Sequence, residues 1–223
     1  MRQYQLVIFD WDGTIMNSEA RIVASIQTAA ARCGLPVLSD HESKQIIGLS
    51  LDNAILGLYP DVTDEQVQAM ANAYSQCFLE ESQVEMEPFD GAESLLLGLK
   101  MAGIKTAIAT GKSRRGLDQV LSECGFGGYF DMTRTPVESA SKPDPLMLQQ
   151  ILAELNVPVE QALMVGDTTF DLQMAANIDM DRVAMSYGVH DQHLLDAHTP
   201  LAHFDDMQAL HSWLTPRLKV ASL

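Results

Sequence analysis

Short apolar runs alternate along this chain with stretches of helical periodicity. The first run, Leu6-Val7-Ile8-Phe9, is continuous and stops abruptly at Asp10-Trp11-Asp12-Gly13-Thr14. That is the pattern of a buried strand delivering two carboxylates at its C-terminal edge. Further strands are predicted over 104–109, running into Thr110-Gly111-Lys112-Ser113, over 162–166, running into Asp167, and over 182–186, with a shorter one at 129–133. Helical spacing fills the intervals at 92–100, 116–124, 145–155, 168–176 and 206–214. Such alternation predicts a Rossmann-like α/β fold, a mainly parallel sheet with helices on both faces.

The stretch between the first two long strands differs. Ser18 is a candidate N-cap for a helix through about Cys33, with Ile22, Ile26, Ala29 and Cys33 on one face and Gly34-Leu35-Pro36 ending it. A second helical pattern after Asp40 takes in Ile46, Ile47 and Leu49, with Gly48 in or near a break, and Ser50 is placed to cap a third. Val67, Met70, Ala71, Tyr74 and Phe78 form another stripe at helical spacing. Nothing over 17–85 reads as a strand. The predicted organisation is an α/β core from 1–16 and 86–223, interrupted by an all-helical unit over 17–85.

Composition narrows the function. A formal charge of −16 argues against a general nucleic-acid binder or a protein drawn to anionic membranes, since both need positive surface. No apolar run is long enough to cross a membrane, and the N-terminal run is too short for a signal sequence and is cut by Asp10 and Asp12. Cys33, Cys77 and Cys124 are odd in number and far apart, which fits free thiols in a reducing, cytoplasmic setting. A monomer is the default expectation. His190, His193, His198 and His203 form a loose run, best read as exposed loop histidines.

The polar outliers fall at the C-terminal ends of the predicted strands, where open α/β sheets place ligands. A carboxylate that attacks a phosphate ester must overcome repulsion from its oxygens, so it needs cationic groups and hydrogen-bond donors around it. Asp10 is placed to attack phosphorus, and Asp12, two residues on, to protonate the leaving oxygen and later activate water. Thr110, the Gly111 amide and the Lys142 ammonium could hold phosphoryl oxygens. Asp167 and Asp171, four apart at a helix start, could complete an oxygen-rich Mg²⁺ site with Asp10 and a backbone carbonyl.

In these features the chain resembles the haloacid dehalogenase superfamily phosphatases, in particular the phosphoglycolate-phosphatase-like group with a helical cap after the first strand. The four signatures occur in order as Asp10-Trp11-Asp12-Gly13-Thr14, Thr110-Gly111, Lys142-Pro143 and Gly166-Asp167-Thr168-Thr169-Phe170-Asp171. The resemblance implies that Asp10 is nucleophile and Mg²⁺ ligand, and that Asp12 is acid/base with its carbonyl on the metal. It makes Thr110 and Lys142 phosphate binders, Asp167 the acidic ligand and Asp171 a direct or water-mediated one. It also implies a small phosphorylated metabolite as substrate and a mobile cap supplying specificity. Should the substrate carry a carboxylate, Lys44 or Arg21 of the helical unit is the first candidate to meet it. The chain departs from the family in Trp11, where Phe is commoner, in Asn17, where Asp is frequent, and in Asn177-Ile178-Asp179, where Ala-Gly is usual.

Rival readings share much of this chemistry. A sugar-phosphate mutase or a pyrophosphatase would use the same phosphoenzyme, whereas a dehalogenase has no use for Asp12 as proton donor. A phosphorylatable switch module also combines Asp, Thr and Lys around Mg²⁺, but has no place for a large helical insert. Thr110-Gly111-Lys112-Ser113 lacks the Gly-rich lead-in of a nucleotide-binding P-loop.

Overall fold

A computed structural model describes residues 2–219. In chain order the strands are β1 (Leu6–Phe9), β2 (Met16–Asn17), β3 (Glu87–Pro88), β4 (Lys105–Ala109), β5 (Met132–Arg134), β6 (Ala162–Gly166), β7 (Asp181–Met185) and β8 (His203–Phe204). Six of them form one sheet, ordered β5-β4-β1-β6-β7-β8, and every pairing in it is parallel. β1 lies at its centre, flanked by β4 and β6, so the chain winds outward in both directions from the strand that carries Asp10. This is the topological switch point at which such sheets open a crevice.

The sheet is buried on both faces, and its side chains sort with the period of two that a strand dictates. Val7, Phe9, Ile108, Leu163 and Val165 pack on one side against the helices Ala92–Met101, Arg114–Cys124 and Met207–Leu214. Leu6, Ile8, Ala107, Ala109 and Met164 pack on the other against Leu146–Leu155 and Thr169–Ala176. Trp11 is fully buried and meets Phe126 and Phe130 edge-on, so the larger ring at this position anchors the site loop to the core.

The helical insert hangs from the antiparallel pair β2–β3, a two-residue ribbon too short to show periodicity in the sequence. It comprises the helices Glu19–Arg32, Asp40–Lys44, Leu51–Leu58 and Asp64–Gln76, the last running into a π-helical turn at Cys77–Glu81. The second of these is shorter than expected: it stops at Lys44, and Ile46–Leu49 forms turns in which the Ile47 and Leu49 amides donate to the Lys44 and Ile46 carbonyls. Gly48 sits at φ 104°, which no helix can contain. Two short elements were not expected either. The histidine-bearing stretch holds the helix Gln192–Asp196 and ends in β8 at the sheet edge. Among the described residues no helix is long and apolar enough to cross a membrane, and the three cysteines are free.

The segment 45–50 is one place where the insert leans on the core; the 77–81 turn, against Lys112, Arg115 and Gln119, is another. The Ser50 amide donates to Ser141 Oγ at 2.9 Å, and His190 Nε2 lies 3.3 Å from the Gln45 carbonyl. A Cβ added at Gly111 would collide with the Gly48 and Leu49 carbonyl oxygens, although the backbone there has no left-handed φ. The glycine is therefore required by the close approach of the insert, not by its own conformation. Gly111→Ala is expected to lift this segment off the core. The check is amide hydrogen exchange: Leu49 and Ser50 should exchange at least about tenfold faster while the sheet amides stay unchanged, and unaltered protection at both would show that the contact tolerates a methyl group.

Candidate active site

Asp10 follows β1 directly, and its amide donates to the Val165 carbonyl of β6 at 2.9 Å, which carries the sheet ladder one residue further and fixes where the side chain emerges. Thr110 follows β4 and Asp167 follows β6. Asp171 sits in the first turn of the helix Thr169–Ala176, where Thr168 caps the helix and Asp171 completes a capping box. The Thr168 hydroxyl and amide both donate to Asp171 Oδ2, at 2.7 and 3.1 Å, so a local helix-start motif orients the carboxylate.

Lys142 arrives from a loop and is fully buried, its ammonium 2.7 Å from Asp10 Oδ1 and 2.6 Å from Asp171 Oδ1. Burial disfavours its charge, but Asp10 and Asp171 outweigh that and hold its pKa above the ordinary lysine value. Burial likewise drives the Asp10 pKa well above the carboxylate range; Lys142 opposes the rise without cancelling it, and Asp171 and Asp167 add to it. Asp167 is pushed up to about 7, by burial first and then by the charge of Asp171, despite hydrogen bonds from Thr14 Oγ1 at 2.6 Å and the Val189 amide at 2.8 Å. Gly13, at φ 85°, lies so close that a Cβ would enter the Asp167 carboxylate.

These residues fit a hard divalent cation. Asp10, Asp167 and Asp171 each offer an oxygen within 4.8 Å of the others, and among the described residues a single ammonium, Lys142, faces the group. Asp10 Oδ2 is buried with no hydrogen-bond partner, which is costly unless something positive completes it. Both Asp171 oxygens are engaged, by Lys142 and Thr168, and both Asp167 oxygens accept from Thr14 and the Val189 amide, so Asp10 Oδ2 is the oxygen of the three carboxylates left without a partner.

Asp12 turns away from that cluster. Its Oδ1 accepts from Ser18 Oγ at 2.7 Å and its Oδ2 lies 3.1 Å from Lys112 Nζ. Ser18 does occupy the N-cap position of the first insert helix, but its hydroxyl serves Asp12 and makes no cap bond. Lys112 is nearly buried, and its ammonium lies over the Phe78 ring of the insert, 4.3 Å from the centroid. Asp10, Asp12, Thr110, Gly111 and Lys112 all line one cavity that continues into the insert.

Lys44 and Arg21 do not line it. Lys44 faces Glu19 Oε1 at 3.5 Å, and Arg21 donates to the Ser82 carbonyl at 3.1 Å with its guanidinium against Phe78. Both are engaged within the insert itself, so in this arrangement neither side chain reaches the cavity. His190 is also not an exposed loop residue. It is only 5% accessible, and its Nδ1 accepts from the Thr169 amide at 3.0 Å. Burial lowers its pKa, as expected for an imidazole wedged neutral between the insert and the core. The sequence carried no signal for it beyond its position after the last long strand. Thr14 and Thr168 lay inside recognised motifs, yet their task of holding Asp167 and Asp171 needed the fold to be seen.

A family model described as haloacid dehalogenase-like hydrolase matches residues 7–185. Among curated proteins, "Probable phosphatase IndB" of Dickeya dadantii is 31% identical over 97% of this chain and 96% of that protein. The phosphoglycolate phosphatase of Rhodospirillum rubrum is 29% identical over 93% of this chain and 90% of its own length. Among solved structures, a hydrolase from Pseudomonas syringae superposes with a TM-score of 0.86 at 23% identity, covering 98% of this chain and 100% of that one. With the parallel sheet, the helical insert and the ordered acidic signatures already in place, this chain belongs to the haloacid dehalogenase-like hydrolase family.

Proposed function

We propose that the protein is a Mg²⁺-dependent phosphatase that hydrolyses small phosphate monoesters through a phosphoryl group carried on Asp10. The observation that carries this reading is the division of labour at Asp10. One carboxylate oxygen is pinned by Lys142, the other is unpartnered, and Asp12 faces the same cavity two residues away.

In the first half-reaction a carboxylate oxygen of Asp10 forms a bond to phosphorus as the bond from phosphorus to the leaving oxygen breaks, and Asp12 gives its proton to that oxygen. The Thr110 hydroxyl, the Gly111 amide and the Lys142 ammonium hold the phosphoryl oxygens as charge builds on them. In the second half-reaction Asp12 takes a proton from water, the water oxygen bonds to phosphorus, and the acyl phosphate bond to Asp10 breaks. Ser18 Oγ and Lys112 Nζ hold the Asp12 side chain in position for both proton transfers. A Mg²⁺ ion held by Asp10, Asp167 and Asp171, with the Asp12 carbonyl, would neutralise charge on the phosphoryl oxygens. The helical insert acts as a cap: its 45–50 segment covers Gly111 and the crevice and keeps bulk water from the acyl phosphate.

Phosphate release from a panel of small esters, with and without Mg²⁺, tests the proposal. Turnover should require the cation, and Asp10→Asn should lose at least about a thousandfold in kcat, because it removes the bond-forming oxygen rather than a supporting contact. Migration of phosphate within a sugar ester without its release would instead identify a mutase.

The raised Asp167 pKa gives a second expectation. Its folded value of about 7 lies above the unfolded carboxylate value, so in the cation-free protein this group's contribution to stability is present at low pH and is lost as pH rises toward 7. A divalent cation must displace that proton. The increase in Tm produced by Mg²⁺ should therefore be larger at about pH 8 than at about pH 6. Scanning fluorimetry that shows the same increment at both would show that cation binding displaces no proton from Asp167 in this range.

A further inference from the structure

The cavity has one polar end and one apolar end. From the carboxylates and Thr110 it extends into the insert, where its wall is Ile22, Ile26, Ile46, Ile47, Met70 and Phe78. Tyr74 stacks on Phe78 with ring centroids 5.7 Å apart, which makes part of that wall a flat aromatic shelf. The three basic side chains of the insert are all spent elsewhere: Arg21 on the Ser82 carbonyl, Arg32 on Glu81 at 2.6 Å, and Lys44 on Glu19. Lys112 is the one cation, among the described residues, that lines the cavity beyond the acidic cluster, and it is paired with Asp12 and covered by Phe78.

A carboxylate or second phosphate on the leaving alcohol would thus be desolvated against aliphatic carbon with no counter-ion to receive it. A polyol would fare little better, since each buried hydroxyl needs a partner and, among the described residues, the polar side chains lining the cavity away from the acidic cluster and Thr110 are Tyr74, Ser75, Ser113 and the already paired Lys112. The volume available with the insert in place is about 70 Å³, room for a compact group, where one water position takes on the order of 10–15 Å³.

We propose that the preferred substrate is the phosphate monoester of a small, uncharged, apolar alcohol, branched-alkyl or aryl, whose carbon skeleton is buried against the Ile22–Ile47–Met70–Phe78 wall. This rests on the phosphatase reading above. It departs from what the names of relatives suggest, because glycolate would bring a carboxylate to this wall. Apolar contact made with the insert also ties substrate choice to closure, since the wall exists only while the insert lies over the site.

The experiment compares kcat/KM with Mg²⁺ for 3-methylbutyl phosphate, glycerol 3-phosphate, glucose 6-phosphate and 2-phosphoglycolate. All four carry their phosphate on an aliphatic oxygen, so intrinsic leaving ability does not dominate the ranking. The methylbutyl ester should exceed 2-phosphoglycolate by at least about tenfold, mainly through KM. Met70→Gln, close in shape, and Ile47→Thr should each shrink that ratio. If either variant fails to fold, the wild-type ranking decides alone. Hydrolysis of all four with 2-phosphoglycolate or glucose 6-phosphate equal or preferred overturns the apolar assignment while leaving the phosphatase reading intact. No phosphate from any ester overturns that reading and this one together.

Discussion

The buried Lys142 ammonium between Asp10 and Asp171 is the interaction on which the site depends. Three carboxylates meet at the end of a sheet with no access to bulk water, and without a cation their mutual repulsion and desolvation would drive them to the protonated state. One ammonium offsets part of that charge and leaves the cluster short of balance. The raised Asp10 and Asp167 pKa values record this shortfall, and the unpartnered Asp10 Oδ2 marks where it is felt. A site held in this condition favours a divalent cation.

The surrounding fold serves to keep those charges in place. β1 is central, so its tip cannot move without the two strands beside it. Asp171 is held by a capping box and Asp167 by Thr14 and the Val189 amide, each a short-range device that costs the fold little. Residues from separate loops thereby converge: Asp167 and Asp171 have supporting contacts of their own, whereas Lys142 is held by Asp10 and Asp171 themselves. The insert is attached differently. A two-residue ribbon, the 45–50 segment, the Ser18–Asp12 hydrogen bond and contacts of the 77–81 turn with Lys112, Arg115 and Gln119 join it to the core.

Asp12 and Lys112 link the two regimes. Lys112 belongs to the core loop after β4, pairs with Asp12, and is covered by Phe78 from the insert. Asp12 and the apolar wall thus share a boundary, with Lys112 in contact with both.

The alternation of apolar strands with amphipathic helices, and the carboxylates that end those strands, are local properties, and the sequence by itself determined them: the parallel sheet, the helical unit after the first strand, and Asp10, Asp12, Thr110, Lys142, Asp167 and Asp171 as candidate chemistry. Periodicity follows from backbone geometry and needs no partner to be legible. It could not show the ribbon β2–β3 or β8, which are too short to carry a period, or the end of the second insert helix before Ile46, set by the backbone at Gly48. Which charges of the insert face the crevice was decided only by tertiary packing. The Ser82 carbonyl beside Arg21 and the Glu19 carboxylate beside Lys44 are brought there by the fold, and a linear reading cannot see them. His190 looked exposed because nothing local reveals that the insert will cover it. Ion pairing and burial are set by what a chain distant in sequence brings alongside, so the apolar character of the cavity became visible only in three dimensions.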